Sequence, residues 1–96
     1  MRVKEIIWLK QFVEKIQQKH RVSEQEVEEV LANFPPVRRM RRGETRGEDL
    51  YRAVGQTAEG RYLAIFFIYK GQGRGLIISA RDADPKEMKK YGKRKK

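Results

Sequence analysis

The segment Tyr62 to Tyr69, Tyr-Leu-Ala-Ile-Phe-Phe-Ile-Tyr, is apolar at every position and has Gly60 before it and Gly71 after it. Such a run is too short to cross a bilayer, and its aromatic and branched content suits extended chain. A strand with one wet face would alternate, so an unbroken run predicts a central strand covered on both sides. Runs of strand character flank it, giving Asp49 to Thr57, Arg61 to Lys70 and Arg74 to Ala80 as three strands. Ala58-Glu59-Gly60 and Gly71-Gln72-Gly73 join them, and connections this short force antiparallel hairpins. Gly71-x-Gly73-x-Gly75 has no helix after it, which makes it a turn and not a nucleotide-binding loop.

Both faces of that sheet need cover, and the flanking sequence offers helices. Val3 to Trp8 reads as a short first strand, although Ile6, Leu9, Phe12, Val13 and Ile16 also fit helical spacing; a helix from about Leu9 to His20 follows. Ser23 with Glu26 three residues on is a capping box, in which each side chain satisfies a backbone donor of the other. Val22 and Val27 are spaced as a hydrophobic staple, and Val27, Val30, Leu31 and Phe34 form an apolar stripe ended by Pro35 and Pro36. Arg38 to Gly43 is an edge strand or an exposed loop. A last helix starts at Asp84 as N-cap, with Pro85 in its first position and Glu87 three after the cap. The expected fold class is α+β: two N-terminal helices and a C-terminal helix packed on a small antiparallel sheet of three to four strands. Residues 1–92 form one domain, and 93–96 a basic flexible tail.

Lysine and arginine number 23 against 13 acidic residues, for a net charge of +10 in 96 residues. A small body so charged attracts polyanions, nucleic acid first and an anionic membrane surface second. The membrane is the weaker choice, because no basic amphipathic helix with a strong apolar face carries the charge. Charged residues recur from Arg2 onward, so no signal segment is in view and a cytoplasmic protein is expected. With no cysteine and one histidine, no metal and no cofactor are expected.

Several segments in order resemble one family. Lys19-His20-Arg21-Val22-Ser23, Gly55-Gln56-Thr57, Gly60-Arg61-Tyr62-Leu63 and Ile77-Ile78-Ser79-Ala80-Arg81, with Glu87 and Tyr91 behind them, are similar to the BrnT toxins, from about Trp8 to Tyr91. The resemblance implies a RelE-like fold, the toxin half of a bacterial toxin-antitoxin pair, metal-independent ribonuclease activity, and a cognate antitoxin protein as partner beside RNA. Leu9, Leu50 and Leu76 stand where the family usually has Asp, Arg and Arg. Either the positive charges have moved to Arg52 and Arg74, or this variant keeps the fold and cleaves poorly.

Cleavage by the ribose 2′-hydroxyl needs a base, an acid and cations around phosphorus. The catalytic candidates are His20, Glu48, Arg52 and Arg81. His20 is a candidate to pass a proton because an imidazole is the side chain suited to that task, or else simply packs at a helix end. Arg81 is a phosphate clamp, or else a partner of Asp82, Asp84 or Glu87. Glu48 and Arg52 are base and clamp, or an exposed ion pair. Arg38, Arg39, Arg41, Arg42, Arg61, Arg74, Lys89, Lys90, Lys93 and Arg94 are expected to touch phosphates, and Tyr91 to stack a base or dock the last helix. The rival reading is a non-catalytic RNA-binding domain on the same fold.

Overall fold

The structure, a computed structural model, describes residues 2–43 and 48–95, with side chains through residue 92. Its elements are β1 (Glu5–Ile7), α1 (Lys10–His20), α2 (Glu24–Ala32), β2 (Val37–Arg41), β3 (Leu50–Gln56), β4 (Tyr62–Gly71), β5 (Arg74–Asp82) and α3 (Pro85–Lys95). The sheet has five strands in the order β1-β5-β4-β3-β2, with the apolar run at its centre.

That corrects the expected antiparallel sheet of three to four strands. β2 to β5 are antiparallel neighbours, but β1 joins β5 in parallel, Glu5 beside Arg74 and Ile7 beside Leu76. Lys4 and Glu5 both donate their amides to the Gly73 carbonyl at 2.7 and 3.0 Å, tying the chain start to the β4–β5 turn. Hairpin patterns concern strands adjacent in sequence, and a pairing of Glu5 with Arg74, far apart in the chain, leaves no local signature. The arginine-rich segment becomes the edge strand β2, since backbone pairing asks nothing of its side chains on the open side.

Residues of alternate parity divide the sheet. Ala53, Leu63, Ile65, Phe67, Ile77 and Ala80 face α1 and α2, where they bury fully against Ile16, Val27 and Val30. Each large aliphatic or aromatic member contributes on the order of 2 kcal/mol relative to leaving it in water. The capping box at Ser23 is formed, with Glu26 N donating to Ser23 Oγ at 3.1 Å and Ser23 N to Glu26 Oε1 at 3.0 Å. Val22 and Val27 are both fully buried at that start.

α3 covers part of the opposite face, over Val54 and Ala64. The rest of it, Leu50, Phe66, Ile68 and Leu76, is half-buried. Here β5 carries a bulge: Phe66 pairs with Ser79 but Phe67 with Ile77, so Ile78 is an extra residue. The insertion changes the phase of the strand, because strict alternation from Ile77 would turn Arg81 toward the core. Ala80 takes the core position instead, and Arg81 points to the α3 side.

Gly55 sits where α2 meets the sheet. A Cβ there would lie 2.9 Å from Val30 Cγ1 and 3.1 Å from Pro35 Cβ. Gly55→Ala is therefore expected to destabilise the fold by about 1–3 kcal/mol through overpacking. Urea denaturation would read the loss, and an unchanged midpoint would show that Pro35 yields freely.

Candidate nucleic-acid site

The N-terminus of α3 assembles the site. Asp84 Oδ1 accepts the Glu87 amide at 2.8 Å, and Glu87 Oε1 accepts the Asp84 amide at 2.9 Å. This reciprocal cap holds Glu87 against the sheet, only 3% exposed. Arg81 then grips the carboxylate with both terminal nitrogens, at 2.7 and 3.0 Å, and Arg52 Nη1 reaches Oε2 at 3.0 Å. Burial pushes the Glu87 pKa up, but hydrogen bonds from Arg81 and the Asp84 amide, with the charges of Arg81 and Arg52, outweigh it and hold it below the ordinary value. Four donors converge on two oxygens, so this carboxylate is an anchor for guanidinium groups and not a free base.

A cleft of about 640 Å³ opens beside this cluster, between β2 and α3. Arg38, Arg52, Lys90 and Tyr91 are among the residues lining it. Arg38 and Arg52 are directly opposed in the β2–β3 ladder. Like charges in that relation destabilise a sheet unless an anion lies between or beside them. Glu87 answers Arg52, while Arg38 is exposed at the cleft. Arg52 Nε is buried and has no hydrogen-bond partner among the described residues.

The structure brings together part of the expected set. Arg52 and Arg81 share Glu87, and Arg38, Arg39, Lys90 and Tyr91 line the same cleft, although Arg39 also pairs with Asp49 at 3.5 Å. Tyr91 meets Tyr62 edge to face at 5.9 Å, a docking contact for α3. Arg81 fulfils the ion-pair alternative with Glu87 and is not among the residues lining the cleft.

Other candidates fall elsewhere. Asp82 neighbours Leu63 and so belongs to the helix-covered face, opposite to Arg81. Arg61 binds it there at 2.7 Å, reaches Glu26 at 3.0 Å, and donates to the carbonyls of His20 and Arg21. Arg61, expected to touch phosphate, thus has its guanidinium engaged in tying α1, α2 and β5 together. Hydrogen bonding to Asp82 and then to Glu26 raises the Arg61 pKa against its burial, and the Arg61 hydrogen bond lowers that of Asp82. His20 lies with this tie, on the face away from Arg52 and Arg81.

Glu48 pairs with Lys70 at 3.6 Å, roughly 13 Å along the strand direction from Arg52. Arg74 leans on the Gly71 and Lys70 carbonyls at the β4–β5 turn, seven residues and roughly 23 Å from Arg81. Arg41, Arg42 and Lys89 are exposed outside the cleft lining. The backbone of Lys93 and Arg94 continues α3, but their side chains lie outside the described residues. Glu87 is the residue that the sequence understates: it stood as a capping partner of Asp84 and one of three possible partners of Arg81, and its spacing from Asp84 was the available signal.

Fold and cleft define a small basic α+β protein with arginines gathered beside its last helix. The family model described as ribonuclease toxin, BrnT, of type II toxin-antitoxin system matches residues 8–87, and the chain belongs to that family. Its fold is similar to the crystal structure of the Brucella abortus ribonuclease toxin BrnT, with a TM-score of 0.60 at 21% identity, covering 83% of this chain and 96% of that one. No curated protein sequence matches the chain.

Proposed function

We propose that this protein is a metal-independent ribonuclease toxin that holds the scissile phosphate of RNA in the cleft between β2 and α3. The opposition of Arg38 and Arg52 carries the proposal: two cations set side by side at the edge of a cleft form a seat for an anion. In 2′-hydroxyl attack, negative charge grows on the non-bridging phosphate oxygens, where fixed guanidinium donors stabilise it most. Arg52 and Arg38 supply that charge, Glu87 and Arg81 hold Arg52 in place, solvent water takes the proton that the attacking 2′-hydroxyl releases, and Lys90 or Tyr91 gives one to the leaving oxygen. Among the described residues no group of three or more His, Cys, Asp or Glu side chains is arranged to hold a metal.

The proposal takes in kinship to RelE-type ribonucleases, a cytoplasmic setting and a cognate antitoxin, whose apolar side would rest on Leu50, Phe66, Ile68 and Leu76. No described helix is long and apolar enough to cross a membrane. Purified protein is expected to cut total RNA equally with and without EDTA. Loss of cutting in EDTA would overturn metal independence. With about three phosphates engaged by Arg38, Arg52 and Lys90, log affinity for single-stranded RNA should fall with log salt at a slope of about −2. A non-catalytic RNA-binding domain is the second reading, favoured by the saturation of Glu87; binding with that slope but no cutting would select it.

A further inference from the structure

We propose that the RNA cleft continues into a nucleobase subsite in which Phe34 is the stacking platform for an unpaired base next to the scissile phosphate. The inference rests on the RNA reading and extends it to the form of substrate, single-stranded RNA. A second cavity, of about 940 Å³, adjoins the first and shares Pro36, Val37 and Tyr91 with it. Phe34, Arg2, Asn33 and Gln56 are among its lining.

Phe34 is costly as a purely structural residue. It follows α2 in the left-handed region, at φ 48°, which glycine or asparagine adopts with less strain. Its ring gains little from burial in return, being 51% exposed. Strain of this kind on a bulky side chain points to a ligand role when the surroundings hold it fast. They do here: Pro35 is buried against the sheet at Gly55, and Pro36 follows, so the ring is presented on a stiff turn.

The chemistry around the ring suits a base and its phosphate. The Arg2 guanidinium lies 4.7 Å from the ring centroid, a planar cation beside an aromatic face. The Asn33 and Gln56 side chains line the same cavity; their amide nitrogens donate to the Glu29 and Gly60 carbonyls at 3.4 and 3.1 Å, so their oxygens are the atoms offered to the donors of a base edge. A base can reach an aromatic platform only when it is not paired in a duplex, and A-form duplex buries its bases away from side chains.

Binding of fluorescently labelled 2′-O-methyl oligoribonucleotides, which cannot be cut by 2′-hydroxyl attack, tests this by anisotropy. Phe34→Ala is expected to weaken single-strand binding about tenfold, the scale of one lost base–aromatic stack. Phe34→Tyr should restore it. Walking one abasic site along the strand should find a position where wild type binds as weakly as Phe34→Ala and where the variant loses nothing more. Far-UV circular dichroism and the melting temperature of the variant, expected to match wild type, separate this from misfolding. Equal affinities of a folded Phe34→Ala and wild type would overturn the subsite while leaving the RNA reading intact. Failure of wild type to bind any oligonucleotide at low salt would overturn both.

Discussion

Glu87→Ala is expected to lower the stability of the fold by about 3 kcal/mol, the lower end for removing one member of a buried ionic group and stranding the rest. The lower end applies because Arg81, with 34% of its side chain exposed, can turn to water, whereas Arg52 is 15% exposed and keeps its charge inside. In a domain this small the loss corresponds to a fall in melting temperature of roughly 12–24 °C. Glu87→Gln keeps the shape and part of the cap but not the charge, so its melting point should fall between the two. The pH dependence has a definite sign. Glu87 is held below its ordinary value of 4.5, so its contribution is complete above that pH and is lost as pH falls through the folded value. Glu26, where Ser23 and Arg61 outweigh burial, and Asp82, bound by Arg61, shift the same way. Wild type should thus weaken steeply in acid, and Glu87→Gln should show a flatter decline over the same window. A Glu87→Ala protein that melts within a few degrees of wild type would mean that the two arginines find other partners.

How much of this was legible in the chain depends on the range of the forces involved. Ser23 with Glu26 and Asp84 with Glu87 are local contracts between side chain and backbone, and both caps form at the expected residues. The two hairpins around Tyr62 to Tyr69 are local as well, since Gly71 and Gly73 take the positive φ their turn requires. What lay beyond reading was long-range or a matter of phase. Pairing of Glu5 with Arg74 depends on where the assembled core brings the chain start. The extra residue Ile78 decides which face Arg81 adopts, and nothing in Ile-Ile-Ser-Ala announces it. The same limit divided the candidate site: Arg52 and Arg81 meet because a bulge and a helix cap aim them at one carboxylate. Glu48 instead pairs with Lys70, and His20 ends α1 beside the Arg61 tie on the other face. Arg61 looked like one more surface cation because its acidic partners, Glu26 and Asp82, are far from it in sequence.

Arg52→Ala should reduce the rate of RNA cleavage by about 10²- to 10³-fold, as for loss of one preorganised donor to a developing oxyanion. Its fold should survive: Arg81 still engages both oxygens of Glu87, and the single hydrogen bond lost is worth about 1.5–3 kcal/mol. Arg52→Lys is the sharper variant, because it preserves charge but not the planar fork that can hold Glu87 with one arm and turn another toward phosphate. If Arg52 acts by charge alone, lysine should recover most of the rate; if the fork is needed, Arg52→Lys should remain close to Arg52→Ala. The geometry favours the second outcome, since Arg52 Nη1 is committed to Glu87 and Nε is buried, which leaves Nη2, the other arm of the fork, to meet a substrate. Lys90→Ala provides the contrast, with its deficit expected in RNA affinity and a salt slope shallower by about 0.7, the share of one phosphate contact on a single strand. Single-turnover rates at saturating RNA, set beside melting curves of the same preparations, separate these effects. A folded Arg52→Ala protein that cleaves at the wild-type rate would remove Arg52 from the chemistry and leave the cleft as a binding surface only.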